Sequence, residues 1–187
     1  TPFVDSVLNC GWLLQDTASA AQKERWLPPL IAGELTLALA MLEDGSSAQS
    51  TCASSLTDSA GALLLSGRKL FVEDAASRDL LLVTARYQRN GHLCLALVAP
   101  GTPGVELVRL HSLAHPDLYE VVFDDVILPA DQVIGIDTDL APALDHAILR
   151  SEAFQSAAAA GGASRVLELG VAYAKERQQF GRPIGSF

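Results

Sequence analysis

Cysteine and clustered positive charge are both scarce in this chain, and aromatics make up only 6% of it. Cys10, Cys52 and Cys94 are the only cysteines in 187 residues. Three at wide spacing form neither a disulfide framework nor a CxxC redox or zinc motif. With no basic neighbour to favour a thiolate, each reads as a small hydrophobe. Thirteen Lys and Arg stand against 22 Asp and Glu, a formal charge of −9, and the basic residues do not cluster. That removes the electrostatic footprint of a nucleic-acid binder. The longest apolar run, Leu30 to Leu42, is broken by Gly33 and Glu34, short of the roughly 18 residues a spanning helix needs. These residues show no basic leader with an apolar stretch and cleavage site, so a membrane location is not expected and a reducing cytoplasm is. GxGxxG, Walker A, HExxH and GxSxG are absent, which removes the dinucleotide-fold, P-loop, zincin and serine-hydrolase readings. His111 and His115 are four apart, but Pro116 follows and no third ligand stands near, so no metal site is expected. His92 and His146 are assigned no chemistry.

Apolar residues make up 49% of the chain, enough to bury a sizeable core and to exclude disorder. A mean hydropathy of +0.25 is high for one domain and points to apolar surface covered by a partner or by further chain. The chain opens at Thr1 with no initiator Met and stops at Phe187 straight after a helical stretch, and is expected to be a piece of a longer, oligomeric protein.

The first third reads as helix. Phe3, Val7, Leu8, Trp12 and Leu13 recur at three- and four-residue spacing, and Ser19 with Gln22 forms a capping box for a second helix that Gly33 ends. Short β-like runs follow: Leu37–Leu42, Ala62–Val72, Leu80–Ala85, Leu93–Val98, Gly104–Leu107 and Tyr119–Phe123. Turn chemistry punctuates them at Asp58-Ser59-Ala60-Gly61, Arg89-Asn90-Gly91 and Pro100 to Gly104. A long helix is expected from about Asp139 to Tyr173, with Gly161-Gly162 in its middle suggesting a close helix or ligand contact. The expected architecture is α+β: an antiparallel, barrel-like middle domain at 35–136 between helical segments at 1–34 and 137–187.

Four segments, in order, carry a resemblance. Gln22-Lys23-Glu24-Arg25-Trp26-Leu27-Pro28-Pro29 through Gly33-Glu34 looks like EQKxxxLPxxxxGE. Ser66-Gly67-Arg68-Lys69-Leu70-Phe71-Val72 is similar to NGxKxWI. Val121-Val122-Phe123-Asp124-Asp125-Val126-Ile127-Leu128-Pro129, followed by Ile134-Gly135, is close to VxFxDVxVPxxxxxG. Tyr173-Ala174-Lys175-Glu176-Arg177-Gln178-Gln179-Phe180-Gly181-Arg182-Pro183-Ile184 matches YxxxRxxFGxPI. Together they resemble the acyl-CoA dehydrogenase family over nearly the whole chain, covering the end of its N-terminal helical domain, its middle β domain and the first long helix of its C-terminal domain. The resemblance implies α,β-desaturation of an acyl-CoA thioester. In that reaction a glutamate takes the α proton and the β hydrogen passes as hydride to FAD, so base and flavin must be held in reach of a weakly acidic carbon. It also implies a dimer or tetramer of related subunits and an electron-acceptor flavoprotein.

Carried over residue by residue, the resemblance places Leu39, Met41, Leu42 and Ser47 on the first flavin strand. There Leu42 replaces the family's Thr, Asp44 its Pro and Ala48 its Ser, while Glu43 and Gly45 persist. Phe71, Val72 and Glu73 take the second flavin strand, where a phenyl ring can stack on the isoalloxazine and Glu73 must be desolvated or turn to solvent. Arg177 and Phe180 match residues that reach a neighbouring subunit's pyrophosphate and adenine. The helix position of the minority catalytic glutamate is Ser151. Glu152, the candidate base, lies one residue and about 100° away, and a structural role for it is weighed beside that. Two alternatives to the enzyme are a catalytically degenerate partner subunit that completes a neighbour's FAD site and a binding module without flavin.

Overall fold

A computed structural model describes residues 3–44, 52–59, 61–113 and 117–187. Gly45, Ser46, Ser47, Ala48, Ala60 and His115 lie outside the described residues. The chain divides into two compact units, Thr1–Ile148 and Leu149–Phe187.

The first unit begins with a helical segment in π geometry, Phe3–Gly11, that runs into α1 (Trp12–Thr17). Helix α2 (Ala20–Ala32) starts where the sequence places it. The Ser19 hydroxyl accepts from the Gln22 amide while the Gln22 side chain accepts from the Ser19 amide, and Gly33 ends the helix in the left-handed conformation. Gln22 also donates from Nε2 to the carbonyls of Asp131 and Val133, so the capping residue ties the helix to the distant end of the sheet.

Among the described residues eight strands follow: β1 (Leu37–Ala40), β2 (Ser55–Ser59), β3 (Ala62–Glu73), β4 (Leu80–Tyr87), β5 (Leu93–Val98), β6 (Val105–Leu110), β7 (Leu118–Leu128) and β8 (Val133–Ile134). They form one sheet in the order β6-β7-β3-β2-β4-β5-β8, with β1 added against β4. Most pairings are antiparallel, but β1 and β2 both lie parallel to β4, β1 along Leu80–Val83 and β2 along Arg86–Tyr87. The expected barrel-like domain is corrected here. The order ends at β6 and β8, which do not pair among the described residues, so the sheet is mixed, mostly antiparallel and open.

Strand alternation divides the apolar residues into two clusters. Ala38 and Ala40 of β1 face a sheet core with Leu65, Val83, Val121 and Phe123. Leu37, Leu39 and Met41 face the helices, packing with Leu13, Leu14 and Leu30 and with the first turns of α3 at Leu144 and Ala147. β1 is therefore apolar on both faces, as a strand covered on both sides must be.

Helix α3 spans Ala141–Glu176. Beyond Ile148 it belongs to the second unit, where Leu149, Val166, Leu167, Leu169, Val171 and Tyr173 are exposed. The close contact expected at Gly161-Gly162 is not present among the described residues, since a Cβ on either would meet nothing within 4 Å. After α3, β9 (Gln178–Gln179) and β10 (Arg182–Pro183) make a short hairpin. Among the described residues, no helix is long and apolar enough to cross a membrane.

Candidate functional site

Strand β1 is clasped at its outer edge by the segment before it. The Ser6 hydroxyl donates to the Leu37 carbonyl at 2.7 Å and accepts from the Leu37 amide at 2.9 Å. Two residues on, the Leu39 amide donates to the Asp5 carboxylate at 3.2 and 3.4 Å. The chain then runs past Ala40 through Met41, Leu42 and Glu43 alongside β3, where the Leu70 amide donates to the Leu42 carbonyl at 2.8 Å. That bond brings Leu39, Met41 and Leu42 to the end of β3 that carries Phe71, Val72 and Glu73.

A buried ion pair holds the crossing. Lys69, fully buried, donates from Nζ to Glu43 Oε1 at 2.6 Å, to Thr84 Oγ1 at 2.9 Å and to the Met41 carbonyl at 3.4 Å. Glu43 further accepts from the Ala53 amide at 2.6 Å and from the Ser54 amide and hydroxyl at 3.0 and 2.7 Å. Burial alone pushes this carboxyl up, but the Lys69 ammonium and the three donors from Ala53 and Ser54 outweigh it and bring the pKa down to about 2. Ser54 reaches Glu43 because residue 67 is glycine. At φ 146° a Cβ there would lie 2.4 Å from the Ser54 hydroxyl. Cys52 fills the remaining space, its Sγ 3.6 Å from Lys69 Nζ and 3.5 Å from Glu43 Oε1, and burial pushes its thiol up.

Just past Lys69 the ladder between β3 and β7 slips, pairing Lys69 with Val121 but Val72 with Tyr119. The extra residue is a bulge. Phe71 takes φ 58°, a left-handed conformation rare for a bulky residue, and its side chain is 55% exposed. Asp74, three residues on, is also left-handed at φ 55°; its carboxylate pairs with Arg78 and its amide donates to the Asp117 carbonyl at 2.6 Å. Val72 between them is buried in the sheet core, so toward the exposed face it offers only backbone. Glu73, the next residue, is exposed.

The second unit displays its own pair of residues. Phe180 (φ 51°) and Gly181 (φ 78°) form the two-residue turn of the β9–β10 hairpin, with both central residues left-handed as a type I′ turn requires. Phe180 is 92% exposed and meets Phe187 edge-on at 6.2 Å, and Arg182 stacks on the Phe187 ring at 4.0 Å. Arg177 leads into the hairpin with its side chain exposed, its amide donating to the Tyr173 carbonyl and its carbonyl accepting from Ile184. Glu152 is exposed on α3.

The structure thus gathers Leu39, Met41, Leu42, Phe71, Val72 and Glu73 at one crossing in the first unit, and Arg177 and Phe180 on one hairpin in the second. Ser47 lies outside the described residues. The sequence pattern assigns no role to Glu43, Lys69 or Asp5. A signal for the ion pair was available: Leu63, Leu65, Gly67 and Lys69 alternate onto one face of β3, and a lysine among leucines on an inward face requires a buried carboxylate.

No family model matches the chain. It is 31% identical over 90% of its length to the L-prolyl-[peptidyl-carrier protein] dehydrogenase of Serratia sp. (strain ATCC 39006), of which it covers 46%. The structure of a glutaryl-coenzyme A dehydrogenase glutaryl-CoA complex superposes with a TM-score of 0.89 at 27% identity, over 100% of this chain and 49% of the other. A structure of PigA with FAD and proline gives a TM-score of 0.84 at 27% identity, over 100% and 50%. The chain spans about half the length of the curated relatives it matches. The motifs of this sequence and its helix–sheet–helix order agree with these likenesses, and its curated and structural neighbours are consistently members of the acyl-CoA dehydrogenase family.

Proposed function

We propose that this chain is the portion of a flavin-dependent acyl thioester dehydrogenase that builds the platform for the isoalloxazine ring. The observation that carries the reading is Phe71, an aromatic ring turned out by a bulge in a strained conformation, beside a strand end pinned by a buried ion pair. Strain of this kind persists only where the surroundings over-determine it, and it collects at functional sites.

The residues present fit FAD. Phe71 offers a face for ring stacking, and the Leu39–Leu42 backbone lies beside it. Glu73 keeps its charge in solvent instead of burying it against the ring. On the second unit, Arg177 supplies a guanidinium suited to the phosphates of a neighbouring subunit's FAD, and Phe180 an exposed ring suited to that FAD's adenine. When bound, FAD supplies the hydride acceptor. The protein's part is to hold the acyl chain and a carboxylate base in reach of each other; Glu152 is the candidate for that base within this chain.

Residues 1–34, 35–136 and 137–187 are then the end of the N-terminal helical domain, the middle β domain and the first long helix of the C-terminal domain. The exposed apolar face of α3 suits an assembly of related subunits, with an electron-acceptor flavoprotein as redox partner. Acyl-CoA is the proposed substrate, and an acyl group on a carrier protein is the second reading, favoured by the prolyl-carrier relative. Three buried free cysteines suit a reducing cytoplasm. A degenerate partner subunit is not favoured, because the matched relatives are themselves dehydrogenases.

The test is the visible absorption spectrum of the full-length protein after incubation with FAD and desalting. Retained flavin that Phe71→Ala loses, and that acyl-CoA bleaches, supports the reading. A well-folded protein that retains no flavin refutes it. Arg177→Ala lowers retention in the assembled protein without altering the fold of the subunit.

A further inference from the structure

Asp5 takes no part in the ion pair, and it holds the Leu39 amide on the strand that runs on to the ring platform. Its carboxylate accepts from the Leu39 amide at 3.2 and 3.4 Å and from Asn9 Nδ2 at 3.3 Å. All three contacts are longer than the usual charge-assisted bond. Asn9 Oδ1 on the same amide group is buried without a hydrogen-bond partner, so a turn of that amide would offer an acceptor to a proton on the Asp5 carboxyl. The groups that face Asp5 are Asn9 and Cys10 on its own segment, the Leu39 amide on β1, Glu73 on β3, and Arg78 after β3. Arg78 is only 7% exposed and already committed to Asp74. Glu73 opposes the Asp5 charge from a four-residue stretch whose two ends, Phe71 and Asp74, are both strained.

We propose that Asp5 is a positioning residue for the ring platform. Protonated, it holds the Leu39 edge of β1 without repelling Glu73; ionised, it sets two negative charges against each other across the place where the β1 end meets the Phe71 segment. Burial pushes the Asp5 carboxyl up to about 6, with Glu73 adding to the rise and Asn9, the Leu39 amide and Arg78 opposing it. The switch therefore falls just on the acid side of neutrality. The inference rests on the flavin reading, and it assigns the platform a proton-dependent affinity for a cofactor that itself carries phosphate charge.

The experiment titrates the full-length apoprotein with FAD, followed by flavin fluorescence, between pH 5 and pH 8. Wild type is expected to bind roughly threefold to tenfold more weakly at pH 8 than at pH 5, the effect of one partly screened charge. Asp5→Asn keeps the acceptor for Leu39 without the charge and is expected to bind tightly with no such slope. Asp5→Ala, which loses the clasp, binds weakly at every pH, and Glu73→Gln flattens the wild-type slope. Equal slopes in wild type and Asp5→Asn overturn the proposal. Absence of FAD binding at every pH overturns the flavin reading instead. Amide hydrogen exchange at Leu39 and residues 71–74 then decides the positioning role: protection lower in wild type than in Asp5→Asn above pH 6, and equal at pH 5, supports it, and equal protection throughout overturns it.

Discussion

Two carboxylates hold strand β1, Asp5 at its outer edge and Glu43 just past its end, and folding shifts them in opposite directions. Glu43 is buried, yet its pKa is brought down to about 2; Asp5 is raised to about 6. The difference lies in the donors. Glu43 meets an ammonium at 2.6 Å and three N–H or O–H groups at 2.6 to 3.0 Å, whereas Asp5 has two neutral donors at 3.2 Å or more and a second carboxylate facing it. Burial penalises both charges, and only a full set of short donors overcomes it. One end of the strand is therefore fixed, and the other responds to protons.

The largest expected break in this comparison is at Lys69. Lys69→Met leaves Glu43 buried without its counter-charge, a loss of about 3–5 kcal/mol by the usual cost of breaking a buried pair. Denaturant melts should show it, and the double variant with Glu43→Leu should recover part of the loss, because removing both charges removes the uncompensated one. Next in size is Gly67→Ala. Its Cβ would press on the Ser54 hydroxyl at 2.4 Å, in a backbone conformation that side chains avoid. A loss of about 1–3 kcal/mol is expected, with Ser54 displaced from Glu43. A melt unchanged from wild type would mean that Ser54 is not held by this close approach.

The two carboxylates also predict stability limbs of opposite sign. Glu43 has a depressed pKa, so its contribution is complete above its ordinary value near 4.5 and is lost as pH falls toward 2. Asp5 has a raised pKa, so the folded state holds a proton that the unfolded chain releases. Its contribution is complete below about 3.8 and is lost as pH rises through about 6. Asp5→Asn should accordingly leave stability near wild type at pH 4 and raise it by roughly 1–2 kcal/mol at pH 7.5. Glu43→Gln should lower it at neutral pH and narrow the gap to wild type below pH 4. Thermal melts across this range check both signs in one series.

Much of the scaffold around the site was legible in the residues. Ser19 with Gln22 and then Gly33 bounded α2 because capping is local chemistry, and short apolar runs marked β3, β4, β5 and the first half of β7. Strand β2 was missed because Ser-Leu-Thr-Asp-Ser carries one fully buried residue, and β8 because two residues make no pattern. The openness of the sheet was not legible, since which strands end unpaired is decided by tertiary partners. At the site, the importance of Phe71 came from resemblance, but its outward display needed the bulge, which no local preference of Leu70-Phe71-Val72 announces. Asp5 was invisible for a related reason: an acidic residue on a helical stretch looks solvated until the strand it faces is known.

Phe71 supplies the smallest change in stability and the clearest test of what its strain is for. A left-handed phenylalanine costs about 1–2 kcal/mol relative to a relaxed backbone, and glycine escapes that cost at the same φ. Phe71→Gly also loosens the unfolded chain by about 0.5–1 kcal/mol, so the net gain is expected to stay below about 1 kcal/mol. If the conformation exists to display the ring, this variant should melt no lower than wild type while retaining several-fold less FAD after desalting. Stability and cofactor binding would then move apart at one residue, which a merely structural aromatic does not allow. A variant that melts lower and keeps its flavin would instead make Phe71 a packing residue, and the pinned end of β1 would have no ring to present.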